Sequence, residues 1–446
     1  MMQSRMKLLG LTCNLPGGML LAVTMLLFTV PVSGCAQVEP GVAPSSTPVL
    51  LHFAMLVDGT GELLEGQEIL VESGVIVAIG DGLAERYPAA LRVNLEGLTA
   101  LPGLIDAHVH MTYGFYGRSH GDAWKQLLQE TPAPQRLVAA VRNAARTLES
   151  GVTTARDLFA LDGVDFYLRE LIEQGVVPGP RLFLSGKGIH PMVMPPQAQG
   201  TQAERIASLS QRAAEVAASG ADWLKIFATT GTASDLSGEQ VYFYPEISAA
   251  TNVAHANGLK VAVHAYGASA VPDAIRAGVD SIEHAVDVDD VTLAAWAASG
   301  IAYVPTIDHN RYYADHREEY GFDPQAEHEL RDFTARNVEM LRRAHAAGVP
   351  IVMGSDAVMS MFGENTRELE WFVKAGMSNA EVLQSATVNG ARLLGQQDRL
   401  GRLAPGFAAD IVAVQGQPLH DIEALTRHVV WVMKNGEVVV DNRTAP

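Results

Sequence analysis

The central part of the chain, residues 101–395, alternates short apolar segments with helical patterns. We predict eight strands there, in chain order Leu104–Val109, Thr153–Arg156, Arg181–Leu184, Trp223–Phe227, Lys260–Val263, Ser281–Glu283, Ala302–Val304 and Ile351–Met353. Helical stretches separate them, among them Gln135–Glu149, Glu204–Ser219 and Glu327–Ala347. Eight strand–helix units favour a closed parallel barrel. An open doubly wound sheet is the alternative, but no glycine-rich dinucleotide fingerprint follows an early strand.

Both flanks of this region are rich in β-type patterns. Glu68–Glu72 and Val75–Ile79 flank Ser73-Gly74, which is typical of a hairpin. Near the other end, the segments Asp410–Val414 and Val429–Met433 precede an Asn435-Gly436 turn into Val438–Val440. We therefore predict an α/β protein. Its (β/α)8 TIM-like barrel spans residues 101–395, and a small β-sandwich module is formed by residues 49–100 together with 396–446.

The first residues have the features of an export signal. Arg5 and Lys7 precede the apolar stretch Met19–Val32, which is shorter than the roughly 20 residues of a membrane-spanning helix. Val32-Ser33-Gly34-Cys35 resembles the lipobox of bacterial lipoproteins, which implies cleavage before Cys35 and acylation of its sulfur. An ordinary signal peptide is the alternative. Residues 1–34 are thus predicted to be a signal peptide and residues 35–48 a flexible tether.

These features predict an exported lipoprotein of the cell envelope, held at a membrane by its lipid anchor. Ala36 is not acidic, which favours the outer membrane. Cys13 and Cys35 are the only cysteines, so the processed chain would contain no disulfide. The formal net charge of −18 disfavours nucleic acid as a partner, because phosphate binding needs a basic face. A homo-oligomer is left open.

Candidate metal ligands lie at the predicted strand ends. His108 and His110 end the first barrel strand, and alternation along a strand turns both imidazoles to the same side. Lys225 lies inside an apolar strand, where an unpaired ammonium is costly to bury. It either extends its amine to water or serves the site chemically. His264, His284 and Asp356 follow the fifth, sixth and eighth strands, where a barrel delivers side chains to its mouth.

The ordered set of these six residues resembles the amidohydrolase superfamily over nearly all of residues 49–446. Within it, the chain is similar to the imidazolonepropionase-related group and its prolidase-like dipeptidases. The segments that carry the likeness are Leu101–His110, Asp222–Phe227, Gly258–His264, Ser281–His284, Ala386–Ala391 and Gly401–Asp410. A lysine on strand four argues against imidazolonepropionase itself, and Gly267 occupies the position where the deaminases place an acid.

The resemblance implies two divalent metal ions, with zinc the expected metal. One would be held by His108, His110 and Asp356, and the other by His264 and His284. A carboxylated Lys225 would bridge them, and Asp356 would act as the catalytic proton shuttle. Candidate substrate contacts in the mouth loops are His190, Tyr242, Tyr244, His309 and Arg311. His255, His328 and His345 lie in helical patterns and are assigned to the surface or to packing.

We therefore predict a binuclear metal-dependent hydrolase acting on C–N bonds. Its substrate would be a small-molecule amide or short peptide, such as a dipeptide or an N-acyl amino acid. One alternative is cleavage of another bond, in a lactone, a cyclic imide or a phosphotriester. The other alternative is a lipoprotein that binds a ligand or metal without turnover.

Overall fold

The computed structural model describes residues 47–114, 130–190 and 200–443. The predicted signal peptide, most of the predicted tether and the lipidation site Cys35 lie outside these ranges. Among the described residues, no helix combines the length and the apolar character needed to span a bilayer.

Fourteen strands form within the described ranges. They are β1 Val49–Val57, β2 Leu63–Glu72, β3 Val75–Gly80, β4 Leu91–Pro102, β5 Leu104–Val109, β6 Val152–Asp157, β7 Arg181–Leu184, β8 Trp223–Phe227, β9 Lys260–Ala265, β10 Ser281–His284, β11 Ala302–Val304, β12 Ile411–Val414, β13 Val429–Lys434 and β14 Glu437–Asp441. The strands predicted from the sequence differ from these only at their ends, except for the eighth barrel strand.

Thirteen α-helices form in the same ranges. They are α1 Leu83–Arg86, α2 Ala133–Glu149, α3 Val164–Glu173, α4 Gln202–Ala218, α5 Tyr244–Ala256, α6 Val271–Ala277, α7 Asp290–Ser299, α8 Ile307–Asp315, α9 Pro324–Ala347, α10 Glu368–Lys374, α11 Asn379–Ser385, α12 Val388–Leu393 and α13 Glu423–Arg427. Short 3-10 turns cover Met359–Met361 and Asn365–Arg367.

Strands β5 to β11 form the predicted parallel barrel. They pair in two groups, β5-β6-β7 and β8-β9-β10-β11. A parallel bridge between Ile189 and Ile226 joins the groups on one side. On the other side the segment 350–357 bridges Tyr303 and Val109. Backbone hydrogen bonds therefore run around a closed ring, and the predicted barrel is confirmed.

The eighth barrel segment is not the regular strand that the sequence predicts at Ile351–Met353. Its backbone divides its hydrogen bonds among several neighbours: Val352 N donates to Tyr303 O, whereas Met353 N donates to Ser385 O. Met353 O accepts from Ala107 N on β5. Because consecutive groups bond in different directions, the segment closes the ring with isolated bridges.

Seven strands from both flanks form one sheet in the order β14-β13-β12-β4-β1-β2-β3. The long strand β4 connects the two halves, because it pairs with β1 in parallel and with β12 in antiparallel fashion. Side chains of both halves share one apolar core that includes Phe53, Ile69, Ala100, Ile411 and Trp431. The predicted sandwich module is thus built on a single continuous sheet.

The barrel strands are covered on both faces, which explains their nearly continuous apolar sequences. All six residues of β5 and all six of β6 are buried. The barrel strands also carry five charged side chains that are 0% exposed: Asp106, Arg156, Asp157, Lys225 and Glu283. Burying a charge is costly unless it is paired, so these side chains are candidates for the functional site of the barrel.

Candidate metal centre

The six predicted ligands converge at the carboxyl ends of the barrel strands. Asp356 N donates to His108 O at 2.7 Å, which fixes the eighth segment against β5. Gly354 allows this close approach, since a Cβ there would lie 2.9 Å from the His108 Cβ. The six residues are all buried: His108, His110, Lys225, His264, His284 and Asp356.

One group of three side chains could hold a metal ion. The ligand atoms of His108, His110 and Asp356 all lie within 4.8 Å of one another. Asp356 Oδ1 lies 3.1 Å from His110 Nε2 and 3.6 Å from His108 Nε2. Two imidazoles and a carboxylate are a donor set that suits zinc and similar divalent ions.

Lys225 lies beside this group. Its Nζ is 3.4 Å from His108 Nε2 and 5.0 Å from the centre of the Phe227 ring. The side chain does not extend to water, because the residue is 0% exposed. Burial lowers the pKa of the Lys225 amine from 10.5 to about 8, although Glu283 and Asp356 oppose that shift.

His264 and His284 form the opposite side of the cluster, with ring centres 4.5 Å apart. The Thr306 hydroxyl donates to Pro305 O, so its oxygen accepts from His284 Nδ1 at 2.6 Å. His264 Nε2 is buried and makes no hydrogen bond to any described residue. An orphaned imidazole nitrogen beside three further imidazoles and a carboxylate fits a bound metal ion.

The electrostatics of the cluster favour metal-binding protonation states. Burial lowers the pKa values of His108 and His264 well below 6.5, and the nearby Lys225 adds to this shift. Burial also lowers the pKa of His284 well below that value. For Asp356, burial alone would raise the pKa, but His309 and His108 outweigh it and keep the pKa below its usual range. Neutral imidazoles and an ionised carboxylate are the forms that bind metals.

Two of the six residues adopt left-handed backbone conformations. The φ angles are 74° at His284 and 50° at Asp356. Such conformations cost about 1–3 kcal/mol each in residues other than glycine and often occur at functional sites. Hydrogen bonds to the strained peptides hold them: Tyr303 Oη donates to His284 O at 3.0 Å, and His309 Nδ1 contacts Asp356 O at 2.9 Å.

Three buried charged residues behind the cluster were not singled out from the sequence. Glu283 Oε2 lies 2.8 Å from His108 Nδ1, and Arg156 Nη2 donates to Glu283 Oε1 at 3.0 Å. Asp106 accepts from His108 N at 3.1 Å and from Ser355 N at 3.0 Å. Burial raises the pKa of Asp106 to about 6. All three interrupt apolar strands, which is the signal that identified Lys225.

Two of the five candidate substrate contacts lie beside the cluster. His309, on α8, approaches the Asp356 carboxylate at 3.3 Å. The His190 ring lies 4.3 Å from that of Phe227, which in turn is 5.1 Å from His264. Burial lowers the pKa of His190 to about 4. Both imidazoles are therefore in positions from which a substrate at the cluster can be contacted.

The structure does not bring the other three candidates to the cluster. Tyr242 is 2% exposed and belongs to the main apolar core. Tyr244 begins α5, and the Arg276 guanidinium stacks on its ring at 3.9 Å. Arg311 binds Asp308 at 2.6 Å and Asp315 at 2.8 Å, so its guanidinium is already engaged by two carboxylates. These contacts do not favour substrate binding by the three side chains.

A sequence model of the amidohydrolase family matches residues 99–439. The chain therefore belongs to the amidohydrolase family, as the ordered ligand set predicted. It is a hydrolase acting on C–N bonds.

Characterised relatives support the same assignment. The ochratoxinase of Aspergillus niger is 25% identical over 449 residues, covering 92% of this chain and 90% of the relative. A Xaa-Pro dipeptidase solved with methionine in its active site superposes with a TM-score of 0.78 at 29% identity, covering 88% of this chain and 99% of the other. A prolidase solved with N-methylphosphonate-L-proline superposes with a TM-score of 0.79 at 27% identity, covering 89% of this chain and 100% of the other.

Proposed function

We propose that this chain is a binuclear metal-dependent amidohydrolase that cleaves the amide bond of a dipeptide or an N-acyl amino acid. The observation that carries the proposal is the buried group of His108, His110 and Asp356, whose ligand atoms lie within 4.8 Å of one another. Lys225 and two further histidines adjoin this group. A purely structural role would not explain so many buried titratable side chains at one end of a barrel.

His108, His110 and Asp356 would hold one divalent ion, and His264 and His284 the other. Zinc is the expected metal for this donor set. Lys225 would bridge the two sites as a carbamate. Its nitrogen attacks the carbon of CO2 and loses a proton, which leaves a carboxylate on Nζ. The lowered pKa of about 8 supports this step, because a larger fraction of the amine is neutral near pH 7.

When bound, the metal pair supplies a nucleophilic hydroxide near neutral pH and polarises the substrate carbonyl. Asp356 accepts the proton of the attacking water and then delivers it to the nitrogen of the departing amine. This delivery is needed because an amide anion is a very poor leaving group. His309 keeps the Asp356 carboxylate in place through contacts to both its backbone oxygen and its side chain.

Two observations support a small substrate with a free carboxylate. The structural relatives at 27–29% identity include a Xaa-Pro dipeptidase and a prolidase. The cluster is also deeply placed, with the six side chains 0–7% exposed, so a folded protein would not reach it. His190 and His309 are the side chains we propose for substrate contact.

The test uses matched substrates that differ only in the C-terminal group. Each amide is assayed with a free carboxylate and with that carboxylate amidated, using zinc-loaded protein. We expect amidation to reduce kcat/KM at least tenfold, about 1.4 kcal/mol of lost transition-state binding. The Asp356→Asn variant, purified in parallel, controls for contaminating peptidases. Equal rates for both members, or faster turnover of lactones or phosphotriesters, would overturn the proposal.

We also propose that the enzyme is an exported lipoprotein anchored through Cys35. The lipobox-like segment ending in Val32-Ser33-Gly34-Cys35 supports this location. Mass spectrometry of the protein purified from membranes is expected to find an acylated N-terminal Cys35, and Cys35→Ala should accumulate as uncleaved precursor. A mature N-terminus without acylation would refute the anchor.

A further inference from the structure

A chain of hydrogen bonds behind the metal centre ends on His108. Arg156 on β6 donates through Nη2 to Glu283 Oε1 at 3.0 Å. Ser281 donates to the same oxygen at 2.5 Å. The other oxygen, Glu283 Oε2, lies 2.8 Å from His108 Nδ1. All four residues are 0% exposed, so water does not compete for these contacts.

This arrangement determines which nitrogen of His108 carries the hydrogen. A carboxylate oxygen only accepts hydrogen bonds, so the Nδ1 that contacts it must be the protonated nitrogen of the neutral ring. Nε2 then has a free lone pair. That nitrogen faces the centre, 3.4 Å from Lys225 Nζ and 3.6 Å from Asp356 Oδ1.

We propose that Glu283, held by Arg156, is a positioning residue that keeps His108 in the tautomer whose Nε2 can bind a metal ion. The proposal rests on the metal-dependent function proposed above. Neither Glu283 nor Arg156 reaches the centre; each acts through the imidazole that does. A carboxylate behind a metal-binding histidine fixes the ring and makes it a better ligand.

Arg156 is tied to the same strand that carries His108. Its Nε donates to Ala107 O, its Nη1 donates to Ser281 Oγ at 2.9 Å, and its guanidinium lies 4.3 Å above the Trp223 ring. The cation therefore cannot move without breaking several buried contacts. It also compensates the buried carboxylate, which would otherwise be costly to desolvate.

Two other histidines of the centre have neutral oxygens at the corresponding position. His110 Nδ1 lies 3.4 Å from Phe159 O, and His284 Nδ1 lies 2.6 Å from Thr306 Oγ1. A charge-assisted hydrogen bond is stronger than a neutral one. We therefore expect His108 to be the most rigidly oriented of these three rings.

Glutamine cannot reproduce the role of Glu283, although it has almost the same shape. Its amide has one accepting oxygen and one donating NH2 group. If the oxygen faces His108, the NH2 group meets the Arg156 donor. If the NH2 group faces His108 instead, Nδ1 must accept, and the hydrogen moves to Nε2, where it blocks metal binding. Either orientation of the glutamine amide therefore weakens metal binding by His108.

The experiment compares Glu283→Gln with the matched control Glu246→Gln. Glu246 is also 0% exposed, contacts Arg205 at 2.6 Å and accepts from Phe243 N at 2.7 Å, but it lies on α5. Zinc affinity of chelator-treated protein is measured by competition, and thermal unfolding of the metal-free protein reports folding. We expect zinc binding to weaken on the order of 10–100-fold in Glu283→Gln and to be unchanged in Glu246→Gln.

A second measurement does not depend on metal binding. Long-range ¹H–¹⁵N spectra of the metal-free protein distinguish the two tautomers of His108, with His108→Gln identifying its signals. We expect a protonated Nδ1 and a bare Nε2 in the wild type. A hydrogen on Nε2 would overturn the inference, as would wild-type zinc affinity in folded Glu283→Gln. A wild type that binds no zinc but has the expected tautomer would refute the proposed function alone.

Discussion

The core of the terminal sheet and the mouth of the barrel are both buried, but they are filled with opposite kinds of side chain. The sheet core is made of apolar residues such as Leu51, Phe53 and Trp431. The mouth buries imidazoles, carboxylates, a lysine and an arginine. Apolar burial contributes stability, whereas buried polar groups cost stability unless every partner is present. The apolar cores of the sheet and of the barrel therefore stabilise the fold. The polar groups buried at the mouth reduce that stability.

The strain at the mouth is visible in the backbone as well as in the charges. Asp356 and His284 have left-handed φ angles, and Lys225 is buried with an amine whose pKa is about 8. Residues held in unfavourable states generally serve function and not stability. We therefore expect substitutions in the two regions to have different effects. Those at the mouth should reduce turnover, and those in the sheet should reduce the free energy of unfolding.

The largest expected effect is that of Asp356→Asn on turnover. The amide keeps the shape of the carboxylate but cannot accept the proton of the attacking water, so kcat should fall on the order of 10²–10⁴. The thermal unfolding temperature of the metal-free variant should stay close to that of the wild type. Steady-state kinetics and calorimetry provide the two measurements. Near-normal turnover would show that Asp356 is not the proton shuttle.

Trp431→Ala should reduce the stability of the fold and leave turnover unchanged. Trp431 is 0% exposed in the sheet core, and truncating a buried tryptophan typically costs about 3–5 kcal/mol of unfolding free energy. Urea unfolding measures this loss, while kcat per folded molecule should be unchanged. Trp431→Phe serves as the control, because it keeps most of the apolar volume. A fall in kcat without loss of stability would show that the sheet acts on the site directly.

The smallest effect concerns His190 and the pH dependence of stability. Burial, aided by His110 and Lys225, lowers its pKa to about 4 in the folded protein, against about 6.5 when unfolded. Between these values the unfolded chain binds more protons, so stability decreases as pH falls from about 6.5 to about 4. His190→Gln should reduce this decrease by about 1–3 kcal/mol. Urea unfolding across this pH range is the measurement, and an unchanged slope would contradict it.

The sequence was sufficient to predict the barrel and the convergence of the six side chains. Apolar segments recur at regular intervals, and parallel barrel strands bring their carboxyl ends together, so residues distant in sequence meet at one mouth. The eighth segment was predicted as a strand because Ile351, Val352 and Met353 are apolar. Its hydrogen bonds to three different neighbours depend on tertiary packing, which local sequence does not encode.

The hydrogen bonds behind the metal ligands could not be predicted either, because they also depend on tertiary structure. Glu283 and Arg156 are visible as charges within apolar strands, but their pairing across the barrel requires the three-dimensional register of β6 and β10. Arg311 could not be assessed from sequence either, because helical spacing to Asp308 and Asp315 becomes informative only once α8 is known. Charged residues inside apolar barrel strands are therefore the sequence feature that points to this support.

Metal titration of chelator-treated protein shows directly how many metal ions the active enzyme needs. Zinc is added in steps in the presence of bicarbonate, and the hydrolysis of a dipeptide or N-acyl amino acid is recorded against bound metal measured by elemental analysis. We expect activity to reach its plateau at two metal ions per chain, and Lys225→Ala to lose metal and activity together. Full activity with one metal ion per chain, or without any, would contradict the binuclear mechanism.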